Sequence, residues 1–268
     1  MDQARSFVPP ILLALLTLAC AIVGPPHGSP KPIVMGAILL SSLLSSTAGF
    51  AFSAICGGIL FHLWDDQVRI VQIMIVCSIA NQSAMVWSLR HEIQWSQLLR
   101  LLAGAAFGLP FGVWVLFHAD HRLYTEALGL LLLAYGLTML LGIRHRKVVP
   151  HTGIEVAVGF VAGITGGAAA LPGAPVTIWC RAQGLDGAAQ RGLYQPFILV
   201  LQIATLATMA LFKHNGPASG LELPILLCVP AGLLGTSIGM AFFRRMSNRQ
   251  FALAVNTLLI VSGLSFVL

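Results

Sequence analysis

Seven apolar runs constrain the fold of this chain more than any other feature of its sequence. They cover residues 8–23, 70–89, 101–117, 127–143, 192–212, 223–243 and 250–268, and none of the 15 Lys and Arg or 9 Asp and Glu residues falls inside them. Uncharged apolar stretches of about 20 residues are long enough to cross the hydrocarbon core of a bilayer as helices. The sequence therefore predicts an all-α polytopic membrane protein with seven full transmembrane helices.

The first run has the length of a signal peptide, but its surroundings differ from one. It lacks a basic segment ahead of it and a small-x-small cleavage site behind it, and Gly24-Pro25-Pro26 follows. We therefore expect residues 8–23 to remain as a transmembrane helix.

The net charge of +6 does not point to nucleic acid, because the cations lie beside the apolar runs and form no basic-aromatic face. Such cations are typical topology signals of membrane proteins. The five cysteines, at positions 20, 56, 77, 180 and 228, are scattered without a CxxC pair. Small apolar packing is their expected role, and we predict no metal site, disulfide or cofactor.

The chain reads as two halves with the same layout, residues 33–142 and 154–268, preceded by a helix and linker at 1–32 and joined by a linker at 143–153. Each half begins with an interrupted segment rich in small residues, IVMGAILLSSLLSSTAGFAFSAICGGILFHLW in the first and IEVAVGFVAGITGGAAALPGAPVTIWC in the second. A polar link ending in Arg69 or Arg191 follows, and then a long helix with an early glutamine, Gln72 or Gln195. The two halves share few identical residues, so the repeat is inferred from their common order of segments. Internal repeats are a common feature of transporters.

The distribution of cations predicts the orientation of the two halves. If each interrupted segment enters and leaves the membrane on one side and every other run crosses, five links share a side. Those links hold 11 of the 15 Lys and Arg residues: Arg5, Arg90, Arg100, Arg144, Arg146, Lys147, Arg181, Arg191, Arg244, Arg245 and Arg249. The positive-inside rule places this side in the cytoplasm. The amino terminus is then cytoplasmic, the carboxyl terminus lies on the opposite side, and the two halves are inverted repeats.

Glycines and prolines concentrate in GFVAGITGGAAALPGAP, residues 159–175. A backbone that leaves the helix inside a membrane must be covered by protein or line a polar cavity. Residues 154–181 are long enough for two helices of about 13 residues each, with a turn formed by Gly166, Gly167, Pro172, Gly173 and Pro175. Residues 45–53, centred on Gly49, are the equivalent turn. The segments are either re-entrant hairpins or pairs of short spanning helices, and Gly159, Gly163 and Gly167, four apart, also favour close helix packing.

A broken helix offers an anion site, because unpaired amides and the positive end of the helix dipole face inward where the chain resumes the helix. Hydroxyls and amides nearby add donors without a buried cation. Interhelical packing is the alternative role for the glutamines, interfacial placement is the alternative for the arginines, and Asn81 and Gln82 are assigned to packing. The predicted substrate-binding residues are Thr47, Gly49, Ser53, Gln72, Thr165, Gly166, Gly167, Gly173, Gln195 and Gln202, and the predicted rim residues are Arg69 and Arg191.

Enzymatic chemistry has little support in the sequence. No Asp or Glu falls inside an apolar run, and neither a nucleotide-binding phosphate loop nor a Ser-His-Asp or metal-ligand arrangement is readable. We expect a protein that is not an enzyme and has no catalytic residues.

The same residues carry a resemblance to a known family. GFVAGITGGAAALPGAPVTIW followed by RGLYQPFILVLQ resembles the second-half signature of the sulfite exporter TauE/SafE family, and AGFAFSAICGG followed by VQIMIVCS resembles its first-half counterpart. The resemblance covers residues 33–268. It implies movement of sulfur-containing anions, such as sulfite and organosulfonates, across a bacterial inner membrane. The family pattern is richer in glycine where Phe50, Ala51, Phe52 and Ser53 stand here.

The leading hypothesis is a secondary transporter that moves a small sulfur-containing anion by alternating access of its two halves. An anion channel and a membrane assembly or scaffold component are the alternatives. The expected partners are the anion, membrane lipid, a coupling proton or sodium ion and a second copy in a homodimer.

Overall fold

The computed structural model describes residues 32–46, 51–140, 148–212 and 223–243, together with 256–257, 260–261, 263–264 and 266. Over these residues all regular structure is helical, as predicted. Thr47, Gly49, the run at 8–23 and most of the run at 250–268 lie outside the described residues. The helices are α1 Pro32–Ser45, α2 Phe52–Leu60, α3 Gln67–Ser88, α4 Trp95–His118, α5 His121–Leu140, α6 Thr152–Ala169, α7 Gly173–Gln183, α8 Gly187–Phe212, α9 Leu223–Leu226 and α10 Val229–Phe243.

Within the described ranges, four segments are long and apolar enough to cross a membrane: Gln67–Trp87, Trp95–His118, Thr152–Ala169 and Gly187–Phe212. Their outward faces carry large apolar side chains, such as Phe107 in α4 and Leu211 in α8, which are 77% and 73% exposed. In water so much exposed apolar surface would be costly, whereas lipid accepts it. The chain is therefore a multi-pass membrane protein.

The predicted continuous crossing at 223–243 is wrong in one respect. The helix stops at Leu226 and resumes at Val229. Pro230 explains the break, because its ring clashes with the carbonyl of the residue four positions earlier, which is Leu226.

The second interrupted segment is broken as predicted, but the arms and the turn differ from the prediction. The arms have 18 and 11 residues, in α6 and α7, and the turn is Ala170–Pro172. Gly166 and Gly167 still belong to α6. Ala170 ends the helix in the left-handed conformation, at φ 56° and ψ 30°. The amides of Ala170 and Leu171 then donate to the carbonyls of Gly166 and Thr165, at 3.0 and 3.1 Å, which pairs the last carbonyls of α6.

Both ends of this segment lie at the same end of α4. Near the start of α6, Glu155 pairs with Arg100, and at the end of α7, Gln183 accepts a hydrogen bond of 3.0 Å from Gln97. The amide of Val148, ahead of α6, also donates to a carbonyl at the end of α7. The chain thus enters and leaves this segment at one end of the helix bundle.

Glycine stripes set the closest helix contacts. On α4, Gly104 and Gly108 face the carbonyls of Val156 and Phe160 of α6, and a Cβ on either glycine would overlap them. On α6, a Cβ at Gly167 would lie 2.6 Å from the carbonyl oxygen of a residue on α4, and Gly159 and Gly163 also face the α4 backbone. The predicted packing role of these three α6 glycines is therefore confirmed. Because residue numbers rise together along both helices, α4 and α6 are parallel.

The same relationship recurs between α10 and α1. Gly235 and Gly239 face the carbonyls of Leu39 and Leu43, so these helices are also parallel. Between the two halves, α3 runs antiparallel to α8, since Gln195 lies beside Met85 while the preceding turn of α8 lies beside residue 92. Thus α4 of the first half packs on α6, in the interrupted segment of the second half. In return, α10 of the second half packs on α1, in the interrupted segment of the first half.

Candidate functional site

Helices α2 and α7, which follow the two interruptions, begin without a side-chain cap. Their first flanking residues, Ala51 and Pro172, make no capping hydrogen bond. By contrast, the start of α3 is capped by Asp66, whose carboxylate accepts the amide of Arg69 at 3.0 Å. Uncapped amides at a helix start, with the positive end of the dipole behind them, can hold an anion.

Helix register places polar side chains at the height of these two starts. Gly57 of α2 faces Met74 of α3, and counting four residues along each antiparallel helix puts Ser53 level with Ser78. In the same way, the contact of Gln195 with Met85 puts Gln202 of α8 at this height.

The second turn reaches the same level. A Cβ on Gly166 would lie 2.9 Å from the Leu201 side chain and 3.0 Å from Pro172, so the turn packs beside Leu201, the residue before Gln202 on α8. We call Ser53, Ser78, Gln202 and the first turn of α7, which begins at Gly173, the central site. The three side chains are 4%, 2% and 2% exposed.

The two other predicted glutamines flank the central site on opposite sides. Gln72 stands six residues before Ser78 on α3, and Gln195 stands seven residues before Gln202 on α8, or about 10 Å in each case at 1.5 Å per residue. Gln195 is buried, and its Nε2 lies 3.4 Å from the sulfur of Met85, while Gln72 is half-buried. Since α3 and α8 are antiparallel, one small anion cannot contact both glutamines at once.

Two predicted binding residues have structural contacts of their own. The Thr165 hydroxyl lies 3.1 Å from the carbonyl oxygen of Leu171 and closes the turn, and Gly167 packs against α4. Their contribution to binding remains a prediction, as does that of Gly173.

The predicted rim residues lie at the starts of the two long helices. Arg191 is the fifth residue of α8, at the start of its second turn, where it is exposed and interacts with the Tyr194 hydroxyl. Arg69 is half-buried in the first turn of α3, with its guanidinium 5.6 Å from the centre of the Trp64 ring. Both positions suit the mouths of a pathway, and neither side chain is part of the central site.

A cavity of about 440 Å³ lies behind the second turn, between α4, α5 and α6. Its lining is apolar except for Thr165 and Tyr124. The Tyr124 hydroxyl donates to the carbonyl of Ala168 at 2.7 Å, so neither hydroxyl offers a free donor. This cavity lacks the chemistry for an anion.

Sequence reasoning missed two features. Glu155 lies outside every apolar run, yet its side chain is completely buried. On α3, Ser78 was missed; it shares a buried polar face with Asn81 and Gln82, which were assigned to packing, and the spacing of three and four residues was the available signal. The predicted binding residue Gln72 lies on another face of this helix.

The central site thus combines neutral donors, a buried amide and two helix starts. Amides and hydroxyls can hold an oxyanion reversibly without a buried cation. In a comparison with known proteins, the family model for the Sulfite exporter TauE/SafE matches residues 34–266. The chain belongs to the TauE/SafE family. Neither a curated protein nor a solved structure matches the chain.

Membership of the TauE/SafE family implies a membrane transporter of the sulfite or sulfonate exporter type. It also agrees with the expectation that the chain is not an enzyme. The two motifs quoted for the resemblance, around residues 48–58 and 159–179, contain the two interruptions on which the central site is built.

Proposed function

We propose that this TauE/SafE chain is a secondary transporter that moves a small sulfur-containing anion, sulfite or an organosulfonate, by alternating access. The observation that carries the proposal is the coincidence in height of two uncapped helix starts with the buried Gln202 amide. Sulfite and sulfonate groups present three oxygens, which backbone amides, hydroxyls and a carboxamide can contact together.

Alternating access is supported by helix packing between the halves, because a helix of each half packs on the interrupted segment of the other half. Helices α4 and α6 on one side, and α10 and α1 on the other, form two glycine-packed units. The antiparallel helices α3 and α8 lie between the halves and carry Ser78 and Gln202. Rocking of one unit against the other opens the central site first toward Gln195 and then toward Gln72.

Orientation follows from the positive-inside rule. In this proposal the protein lies in a bacterial inner membrane with its amino terminus in the cytoplasm, and residues 152–183 form a re-entrant hairpin that opens to the cytoplasm. Arg191 then attracts anions at the cytoplasmic mouth and Arg69 at the opposite mouth.

Flux measurements on the purified full chain in proteoliposomes test the proposal. With unlabelled sulfite inside, labelled sulfite should accumulate transiently by counterflow, and the initial rate should saturate with sulfite concentration. An ohmic sulfite current without counterflow would indicate a channel. Absence of both, with the protein folded and inserted, would indicate an assembly component and overturn the proposal.

A further inference from the structure

Two arginines at the joint between α7 and α8 differ from the other arginines that the structure describes. Four of those pair with a carboxylate or lie over a tryptophan ring: Arg69, Arg90, Arg100 and Arg122. Neither Arg181, in the last turn of α7, nor Arg191 of α8 forms an ion pair with a described residue. Their positive charges are therefore not neutralised by this part of the chain.

The hydroxyl of Tyr194 connects the two arginines. It is hydrogen-bonded to Arg191, three residues earlier on α8, and the charge of Arg181 also acts on it. The hydroxyl of Tyr135, on α5, lies within range of the Arg181 charge and of the Tyr194 hydroxyl. The side chains of Tyr194 and Tyr135 are 4% and 5% exposed, whereas both arginines are exposed. We call these four residues, which meet at the Tyr194 hydroxyl, the arginine site.

The turn between α7 and α8 fixes the positions of the two arginines without using their side chains. The amides of Gly184 and Leu185 donate to the carbonyls of Arg181 and Cys180, at 2.9 and 3.2 Å, so the Arg181 guanidinium is not needed to cap α7. The carboxylate of Asp186 accepts the amide of Ala189 at 2.8 Å and caps the start of α8. Both helix ends are thus satisfied by the turn itself.

The arginine site and the central site lie at opposite ends of the same two helices. Near one end, Leu201 of α8 packs beside the turn that precedes α7, and near the other, Tyr194 lies close to Cys180. Arg181 follows Gly173 by eight residues on α7, and Tyr194 precedes Gln202 by eight residues on α8. Each separation is about 12 Å at 1.5 Å per residue. A small anion therefore occupies one site or the other, and cannot contact both.

The chemistry of the arginine site selects an oxyanion. A guanidinium presents planar N–H donors that match two oxygens of a sulfite, sulfonate or phosphate group. We propose that Arg181 and Arg191 bind one oxyanion per chain, separately from the central site, and that Tyr194 positions Arg191. For transported sulfite, this is a waiting position ahead of the central site. That role rests on the proposed function, whereas binding of an oxyanion does not.

Isothermal titration of the purified full chain with sulfite, in detergent free of anionic lipid, tests the second site. The unchanged protein should bind two sulfite ions per chain. Arg181→Gln and Arg191→Gln should each raise one dissociation constant about tenfold or more, and Gln202→Ala should raise the other. Arg122→Gln removes the same charge from an exposed arginine that is paired with Glu126, and it should change neither constant.

The positioning role of Tyr194 has its own test. Tyr194→Phe removes only the hydroxyl, and it should raise the dissociation constant of the arginine site about tenfold. In the Arg191→Gln background the same change should have no further effect, because Tyr194 acts through that guanidinium. An equal loss in both backgrounds, or a loss at both sites, would mean that the hydroxyl supports the fold instead.

Two results would overturn the arginine site or its role. Fewer than two sulfite ions bound by the unchanged protein, or two ions whose binding is insensitive to both arginine variants, would remove the site. Loss of the second ion in nanodiscs that contain phosphatidylglycerol, but not in phosphatidylcholine alone, would assign the arginines to a lipid phosphate and overturn the waiting position. Two bound sulfite ions without sulfite flux would support the arginine site and overturn the proposed function.

Discussion

Arg100 of α4 forms an ion pair with Glu155, a carboxylate completely buried in the first turn of α6. Its Oε2 accepts from the arginine, while its Oε1 has no hydrogen-bond partner. A buried charge that loses its partner destabilises a fold more than the intact pair stabilises it. The Arg100 side chain is 33% exposed and can be solvated alone, so the two partners are not equivalent.

Removal of Arg100 should therefore be the more damaging change at this pair. We expect Arg100→Ala to lower the melting temperature in detergent more than Glu155→Gln does. The double variant should recover part of the loss, because no carboxylate then remains buried without a cation. If the double variant instead loses as much as the two single variants together, the effects are additive and the pair is not coupled.

The glycine stripe between α4 and α6 should tolerate no added methyl group. A Cβ on Gly108 would overlap the carbonyl of Phe160, and a helix backbone cannot move aside locally. We expect Gly108→Ala to lower the free energy of unfolding by about 1–3 kcal/mol. Gly36→Ala is the matched control, because a Cβ there meets nothing within 4 Å. That change should be neutral or stabilise α1 by up to about 1 kcal/mol.

The left-handed Ala170 should be stabilised by substitution with glycine. Its φ of 56° is unfavourable for a residue with a Cβ by roughly 1–2 kcal/mol, which exceeds the extra unfolded-state entropy of glycine. Ala170→Gly should raise the melting temperature, whereas Ala169→Gly, inside the last turn of α6, should lower it. If both substitutions lower it, the turn does not end the helix in this conformation.

The re-entrant hairpin makes a topological prediction. With the native cysteines replaced by alanine, His151→Cys and Asp186→Cys should react with a membrane-impermeant maleimide from the cytoplasmic side. Asp120→Cys, after α4, should react from the opposite side. All three positions are exposed, so access is not limiting. Labelling of positions 151 and 186 from opposite sides would mean that the segment crosses the membrane.

Binding of the anion should depend on the amide at the central site. A hydrogen bond to a charged group contributes about 1.5–3 kcal/mol, so Gln202→Ala should raise the sulfite dissociation constant at least about tenfold. Gln190→Ala is the control on the same helix, because its amide is occupied by the carbonyl of Leu185 at 2.7 Å.

Variants of the two flanking glutamines test whether they act in binding or in transport. Gln195→Ala and Gln72→Ala should change transport from one side of the membrane more than they change affinity, since each lies about 10 Å from the central site. Isothermal titration and sided flux assays separate the two effects. An unchanged affinity in Gln202→Ala would remove this residue from the site.

The sequence by itself determined the all-helical membrane architecture and the place of the second interruption. Long uncharged apolar runs cross lipid as helices, because a helix pairs its backbone amides within the same segment. Glycines four residues apart also indicated close packing around Gly159–Gly167, since only glycine allows such an approach. These are local properties, and they can be read from neighbouring residues alone.

Tertiary structure decided what each polar side chain contacts. The apolar runs predicted that Gln72 and Gln195 lie early in equivalent helices, but α8 begins at Gly187, and the antiparallel packing of α3 on α8 separates the two glutamines. Burial of Glu155 depends on a residue of α4 that is 55 positions away. The predicted turn included Gly166 and Gly167, but the helix continues through both glycines, which pack against Leu201 and the α4 backbone, and the chain turns at Ala170–Pro172. Contacts between distant segments depend on helix register and direction, which a hydrophobic pattern does not encode.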